Sequence, residues 1–172
     1  MVKLRKNCAS QRLERPYTRT SKYSKKNFIR GGFPHLKLTK FEMGDVHKNF
    51  EATMYLAATR SMNIRQNSLE SGRTSANRLL EKTLGNNFFM KLRVFPFHVI
   101  REHSLASGAG ADRLSTGMAR PYGKSVNSAA RIKAGQVLME LRLDKSSVSL
   151  GRDALYRAAK KLPCACKVIV AL

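Results

Sequence analysis

Residues 137–172 read VLMELRLDKSSVSLGRDALYRAAKKLPCACKVIVAL, and their hydrophobic period changes twice. Val137, Met139, Leu141 and Leu143 stand at every second position, the spacing of a strand with one face in a core. Ser147 or Ser149 can then cap a helix running to Leu162, with Leu150, Ala154, Ala158 and Leu162 along its inner side. Pro163 stops that helix, because it cannot continue the hydrogen-bond ladder. Val168, Val170 and Leu172 restore the period of two as a final strand.

The same signals recur upstream. Leu36 and Leu38 alternate in a run that ends at Met43-Gly44-Asp45. Phe50, Ala52, Met54, Leu56 and Ala58 define one face of a strand. Asn67 and Glu70 have the spacing of a capping box, and Leu69, Ala76, Leu79, Leu80 and Thr83 continue along one side of a helix that Gly85 would close. Phe88, Met90, Leu92 and Val94 form a further strand face opposite Lys91 and Arg93. Beyond Pro96, the run from Phe97 to Arg101 extends again. Strands and helices alternate without a regular β-α-β repeat. This predicts an α+β fold of mixed sheets with two main helices, not a doubly wound sheet. The length of 172 residues suits a single domain, expected over 36–172.

Charge narrows the function. Lys and Arg number 33 against 11 acids, a net charge of +22. A free domain with that charge repels itself, so an anionic partner is expected, and a phosphate backbone serves well because each contact releases counterions. Residues 1–35 concentrate the effect as an extended basic arm. Lys3, Arg5, Lys6, Arg12, Arg15, Arg19, Lys22, Lys25, Lys26 and Arg30 face only Glu14, and Tyr17, Tyr23 and Phe28 are interleaved with them. Cations take phosphates while aromatic rings stack on unpaired bases, so the partner expected is RNA.

A second basic segment, about 102–128, lies inside the folded unit as a flexible loop. Its glycines and Pro121 make it a poor helix and a poor strand. No acid occurs between Arg113 and Met139, while Arg113, Arg120, Lys124, Arg131 and Lys133 are cationic. Gly123-Lys124-Ser125 imitates the end of a P-loop. However, five residues rather than four separate Gly117 from Gly123, Pro121 removes a donor, and no helix follows. Gly108-Ala109-Gly110 lacks the third glycine of a dinucleotide site, since Arg113 stands there. Glu102, His103, Ser104 and Asp112 have no spacing that fixes a hydrolase geometry. A nucleotide-binding enzyme is therefore the disfavoured alternative, and no catalytic residue is assigned.

No cofactor and no small-molecule substrate are expected. Cys164 and Cys166 form a C-x-C pair without a second ligand pair, and the four histidines are scattered, so no metal site is expected. No apolar run approaches a spanning helix, and no secretory or lipidation signal is evident, which predicts a cytoplasmic protein without a membrane partner.

Several ordered motifs together resemble one family. These are Arg15-Pro16-Tyr17-Thr18-Arg19, Phe28-Ile29-Arg30-Gly31, Ile64-Arg65-Gln66-Asn67-Ser68-Leu69-Glu70, Lys91 through Glu102, Gly108 through Arg113, Gly117-Met118 and Gly123-Lys124. The chain resembles the sixteenth universal protein of the large ribosomal subunit, in its archaeal and eukaryotic form. The resemblance implies an α/β-hammerhead-type sandwich. It also implies binding to large-subunit rRNA near the 5S rRNA, contact with neighbouring ribosomal proteins, and a loop that helps position tRNA acceptor arms in the A and P sites. On this chain the rRNA contacts would fall on Arg5, Lys6, Arg12, Arg15, Tyr17, Arg19, Lys22, Lys25, Lys26, Arg30, Arg65, Arg131 and Lys133. The tRNA-facing residues would be Arg113, Met118, Arg120, Tyr122 and Lys124. Ser125 stands where the family has Pro, and Asn127 where Gly is expected. The end at Leu172, without the longer eukaryotic extension, favours the archaeal type. An RNA-binding assembly factor absent from mature subunits is the alternative within the RNA-binding class.

Overall fold

The computed structural model describes residues 8–11, 13, 17–18, 29, 32–103, 108 and 123–171. A single helical turn, α1 (Cys8–Gln11), precedes the folded unit. Two antiparallel sheets follow, with two long helices. The larger sheet has five strands in the order β1 (Glu42–Gly44), β4 (Phe89–Leu92), β7 (Val137–Leu143), β2 (Ala52–Ala58) and β8 (Cys166–Ala171). The smaller has three, in the order β3 (Met62–Arg65), β6 (Lys124–Ile132) and β5 (His98–Glu102). Helices α2 (Gln66–Leu84) and α3 (Val148–Ala159) complete an α+β fold.

The strand opened by Val137 sits in the middle of the larger sheet, which explains its apolar richness. Register places Met54 opposite Leu141, Leu56 opposite Met139, and Met90 opposite Leu141. These side chains share the face that the helices cover, and all are fully buried. The close approach is set by small residues. A Cβ on Gly72 of α2 would lie 3.2 Å from Met139 Cε and 3.4 Å from the Ala158 carbonyl oxygen. On Gly151 of α3 it would lie 2.3 Å from Leu143 Cδ1 and 2.8 Å from Met54 Sδ.

The outer face of this sheet is polar. Glu140, only 2% exposed, accepts hydrogen bonds from Arg93 (2.8 Å) and from Arg142 (Nε, 2.8 Å). Arg142 also lies 5.2 Å from the centroid of the Phe89 ring. An isolated buried carboxylate would be costly. Two guanidinium partners that keep about half their own surface in water offset that cost.

Several elements depart from the sequence expectation. Leu36 and Leu38 belong to no strand. Leu38 is fully buried, but the neighbouring Lys37 N–H donates to the side chain of Gln66 at 2.9 Å instead of to a ladder. The strand is instead Glu42–Gly44, where the run was expected to end. The capping box does not form. Helix α2 starts two residues early, after Arg65, with no side-chain cap, and Glu70 pairs with Arg73. That pairing raises the Arg73 pKa, chiefly through the hydrogen bond to Glu70. Ser147 occupies the cap position of α3 without a side-chain cap bond, and the helix ends at Ala159. Leu162 stays buried through a further turn, its N–H bonding the Ala159 carbonyl at 3.0 Å. Gly85 closes α2 as expected, donating its N–H to Glu81 at 3.1 Å.

Candidate nucleic-acid interface

The basic segment between β5 and β6 has a built base. β5 and β6 pair antiparallel from His98–Ala129 to Glu102–Lys124, so the chain leaves and returns through neighbouring strands. Gly123 is the last hinge before β6. Its φ of 102° is open to glycine but rare for other residues, and a Cβ there would lie 2.6 Å from the Glu102 carbonyl oxygen. β6 begins at Lys124, so residues 124–128, expected as loop, are strand. Ser125, the hydroxyl of the imitation P-loop, donates to the Gly32 carbonyl at 2.7 Å and sits in a strand, not at a helix N-terminus.

The three-stranded sheet gathers several predicted cations. Arg65 pairs with Ala129, and Arg131 pairs with Asn63. Paired residues and those two apart point the same way, so Arg65 and Arg131 share one face, each half-buried. Lys124 and Lys133 stand exposed at the two ends of β6. Arg101, a cation that sequence reasoning did not single out, lies 4.8 Å from the centroid of the Tyr17 ring. Tyr17 itself is anchored on this sheet. Its N–H donates to His98 Nδ1 at 3.0 Å, and its carbonyl accepts from Val99 N–H at 3.3 Å. Arg5, Lys6, Arg12, Arg15, Arg19, Lys22, Lys25, Lys26, Arg30, Arg113, Met118, Arg120 and Tyr122 lie outside the described residues.

A buried polar hub ties this sheet to its surroundings. Gln66 is 1% exposed; its Nε2 donates to Asn127 Oδ1 at 2.6 Å, while Oε1 accepts from Lys37 N–H. Asn127 also accepts from Ser128 N–H at 2.9 Å and donates to Asn67 Oδ1 at 3.3 Å. Asn127, which replaces the expected glycine, therefore joins β6 to the start of α2. No sequence signal marks this hub, because its members lie about sixty residues apart.

The C-x-C pair lies elsewhere, beyond the end of α3. Cys164 Sγ and Cys166 Sγ are 3.5 Å apart. The hydrogen bond between them lowers the Cys164 pKa, while the same contact and burial push the Cys166 thiol up. Among the described residues, no three His, Cys, Asp or Glu side chains converge on a common point. No helix among them is long and apolar enough to cross a membrane.

With this geometry in place, similarity to known proteins becomes informative. The profile of the family described as ribosomal protein L16p/L10e matches residues 17–169. This chain belongs to that family. The L16p/L10e match takes in both sheets, both long helices and the loop base. Relatives share the same extent. The large ribosomal subunit protein uL16 of Picrophilus torridus is 45% identical over 159 residues, covering 91% of this chain and 90% of the relative. Those of Staphylothermus marinus and Archaeoglobus fulgidus are 41% and 40% identical over 86% and 93% of this chain, and over 84% and 88% of their own lengths. The L16p/L10e family is structural and non-enzymatic.

Proposed function

We infer that the chain is a structural constituent of the large ribosomal subunit, the assembly for which its relatives are named, and that it works in the cytoplasm as part of the ribosome. Large-subunit rRNA and neighbouring ribosomal proteins are its partners. The finer reading divides the labour. The arm and the face carrying Arg65 and Arg131 bind rRNA beside the 5S rRNA. The segment mounted between β5 and β6 reaches the acceptor arms of tRNA in the A and P sites through Arg113, Met118, Arg120, Tyr122 and Lys124. The observation that carries this reading is the mount. A glycine-rich segment that carries no acid from Arg113 onward leaves a paired two-strand base, which fixes where it starts and ends. Catalysis of peptide transfer would belong to the RNA, and the protein's contribution is electrostatic and steric.

Quantitative mass spectrometry across a sucrose gradient of cell lysate tests the first part. One copy per large subunit, retained in translating ribosomes, is expected. Enrichment only on immature particles would make the protein an assembly factor. The pair Arg113→Ala and Lys124→Ala tests the second part. Weaker tRNA occupancy with near-normal incorporation is expected, whereas loss of incorporation would overturn the division between rRNA anchors and tRNA-facing loop.

A further inference from the structure

Seven large apolar side chains are exposed among the described residues, and three of them are phenylalanines lining one groove. Phe33 is 55% exposed, Phe95 53% and Phe97 44%. Scattered exposed apolar groups are ordinary, but a cluster marks a contact surface. The groove encloses about 440 Å³. Phe33, Pro34 and Leu36 form one wall, and Phe95, Pro96 and Phe97 form the other.

Both walls are held in place before anything binds. The Phe95 ring stacks on Phe41, with centroids 5.6 Å apart and planes 19° from parallel. Pro96 is buried, and the Phe97 N–H bonds the Phe95 carbonyl at 3.1 Å. The opposite wall is fastened by Ser125 to Gly32 and by Lys37 to Gln66. Pre-ordered rings lose little entropy on contact.

Charge decides what kind of partner fits. Lys37 and Lys40 are exposed on the stretch from Gly32 to Phe41, which holds no Asp or Glu, whereas Arg93 on the stretch from Lys91 to Arg101 is paired with Glu140. Open aromatic rings near exposed lysines, on a chain of net charge +22, suit a base with its phosphates. The geometry points to this aromatic groove as a stacking site for an unpaired nucleobase of large-subunit rRNA, continuing the Phe41–Phe95 stack. This rests on the proposed ribosomal role and adds a base-contacting site to its phosphate contacts.

The test places the photoreactive p-benzoylphenylalanine at position 97 in cells, followed by irradiation of purified large subunits. A cross-link to one or a few unpaired rRNA nucleotides is expected. Cross-linking to another ribosomal protein, or to residues 1–31 of the same chain, would overturn the inference. In parallel, binding to salt-washed large subunits stripped of this protein should weaken about tenfold or more for Phe97→Leu and recover for Phe97→Tyr. Leu keeps the apolar bulk and loses the π face, so equal affinity for Leu and Phe would exclude base stacking. If the protein bearing the natural Phe97 is missing from large subunits altogether, the ribosomal role itself fails. If it is present with a protein cross-link, only the groove assignment fails.

Discussion

Gln66 and Gly123 show how single residues govern the basic surface from beneath it. Gln66 is the buried point at which the Lys37 backbone, the His35 carbonyl and the Asn127 side chain meet. Gln66→Ala leaves the Lys37 N–H and one side of the buried Asn127 without their present partner. A loss of about 1–3 kcal/mol is expected, read as a lower denaturant midpoint with an unchanged m-value. A variant of unaltered midpoint would mean that water replaces the amide. Gly123 acts locally. Gly123→Ala forces an unfavourable φ and drives a Cβ into the Glu102 backbone, which cannot yield as a side-chain end would. The expected strain is about 1–3 kcal/mol at the loop base. Amide exchange at Arg101, Glu102 and Lys124 should quicken at least about fivefold while β2 and β7 keep their protection. Uniform acceleration across the molecule would show that the loop base and the core unfold as one unit.

Among the elements, α3 and α2 meet the large sheet through glycines placed under different constraint. Ala in place of Gly in a helix interior contributes about 1 kcal/mol through propensity. At Gly151 this gain opposes an overpacking cost of about 1–3 kcal/mol, because the new Cβ would lie 2.3 Å from Leu143 Cδ1 in a fully buried layer. At Gly72 the nearest atom is the flexible Met139 Cε at 3.2 Å. Gly151→Ala should therefore be the more destabilising of the two, with Gly72→Ala close to neutral, as thermal melts would report. The reverse order would mean that α3 shifts freely on the sheet. The sheet itself was partly legible. Met54, Leu56, Met139 and Leu141 alternate because only one face of their strands meets the helices. β3 and β6 were not legible. Met62, Asn63 and Ile64 are all buried, so no alternation shows, and β6 includes Ser125, Asn127, Ser128, Ala129 and Ala130, residues with modest intrinsic strand signal. Pairing with neighbours, not propensity, makes them strands.

At the scale of the whole molecule, the excess of cations makes binding salt-dependent. If Lys22, Lys25 and Lys26 contact phosphates, changing all three to Gln should reduce the slope of log binding constant against log salt by about two to three. The measurement is the affinity for rRNA from the large subunit over a range of potassium chloride concentrations. An unchanged slope would remove these lysines from the interface. The fold should remain unaffected, since they are expected in the arm and not in the core.

The sequence by itself determined the α+β class, two long helices, the central strand Val137–Leu143, the polyanionic class of partner and the family. These depend on local periodicity, composition and ordered motifs, all of which are written along the chain. Only the tertiary structure decided the pairing of β5 with β6 under the basic segment, the Gln66–Asn127 hub, the burial of Glu140 between two arginines, and the meeting of Phe33 with Phe95 and Phe97. Each of these joins residues distant in sequence, or depends on what a neighbouring strand supplies. Their physical basis is complementary contact in three dimensions, which has no period to read.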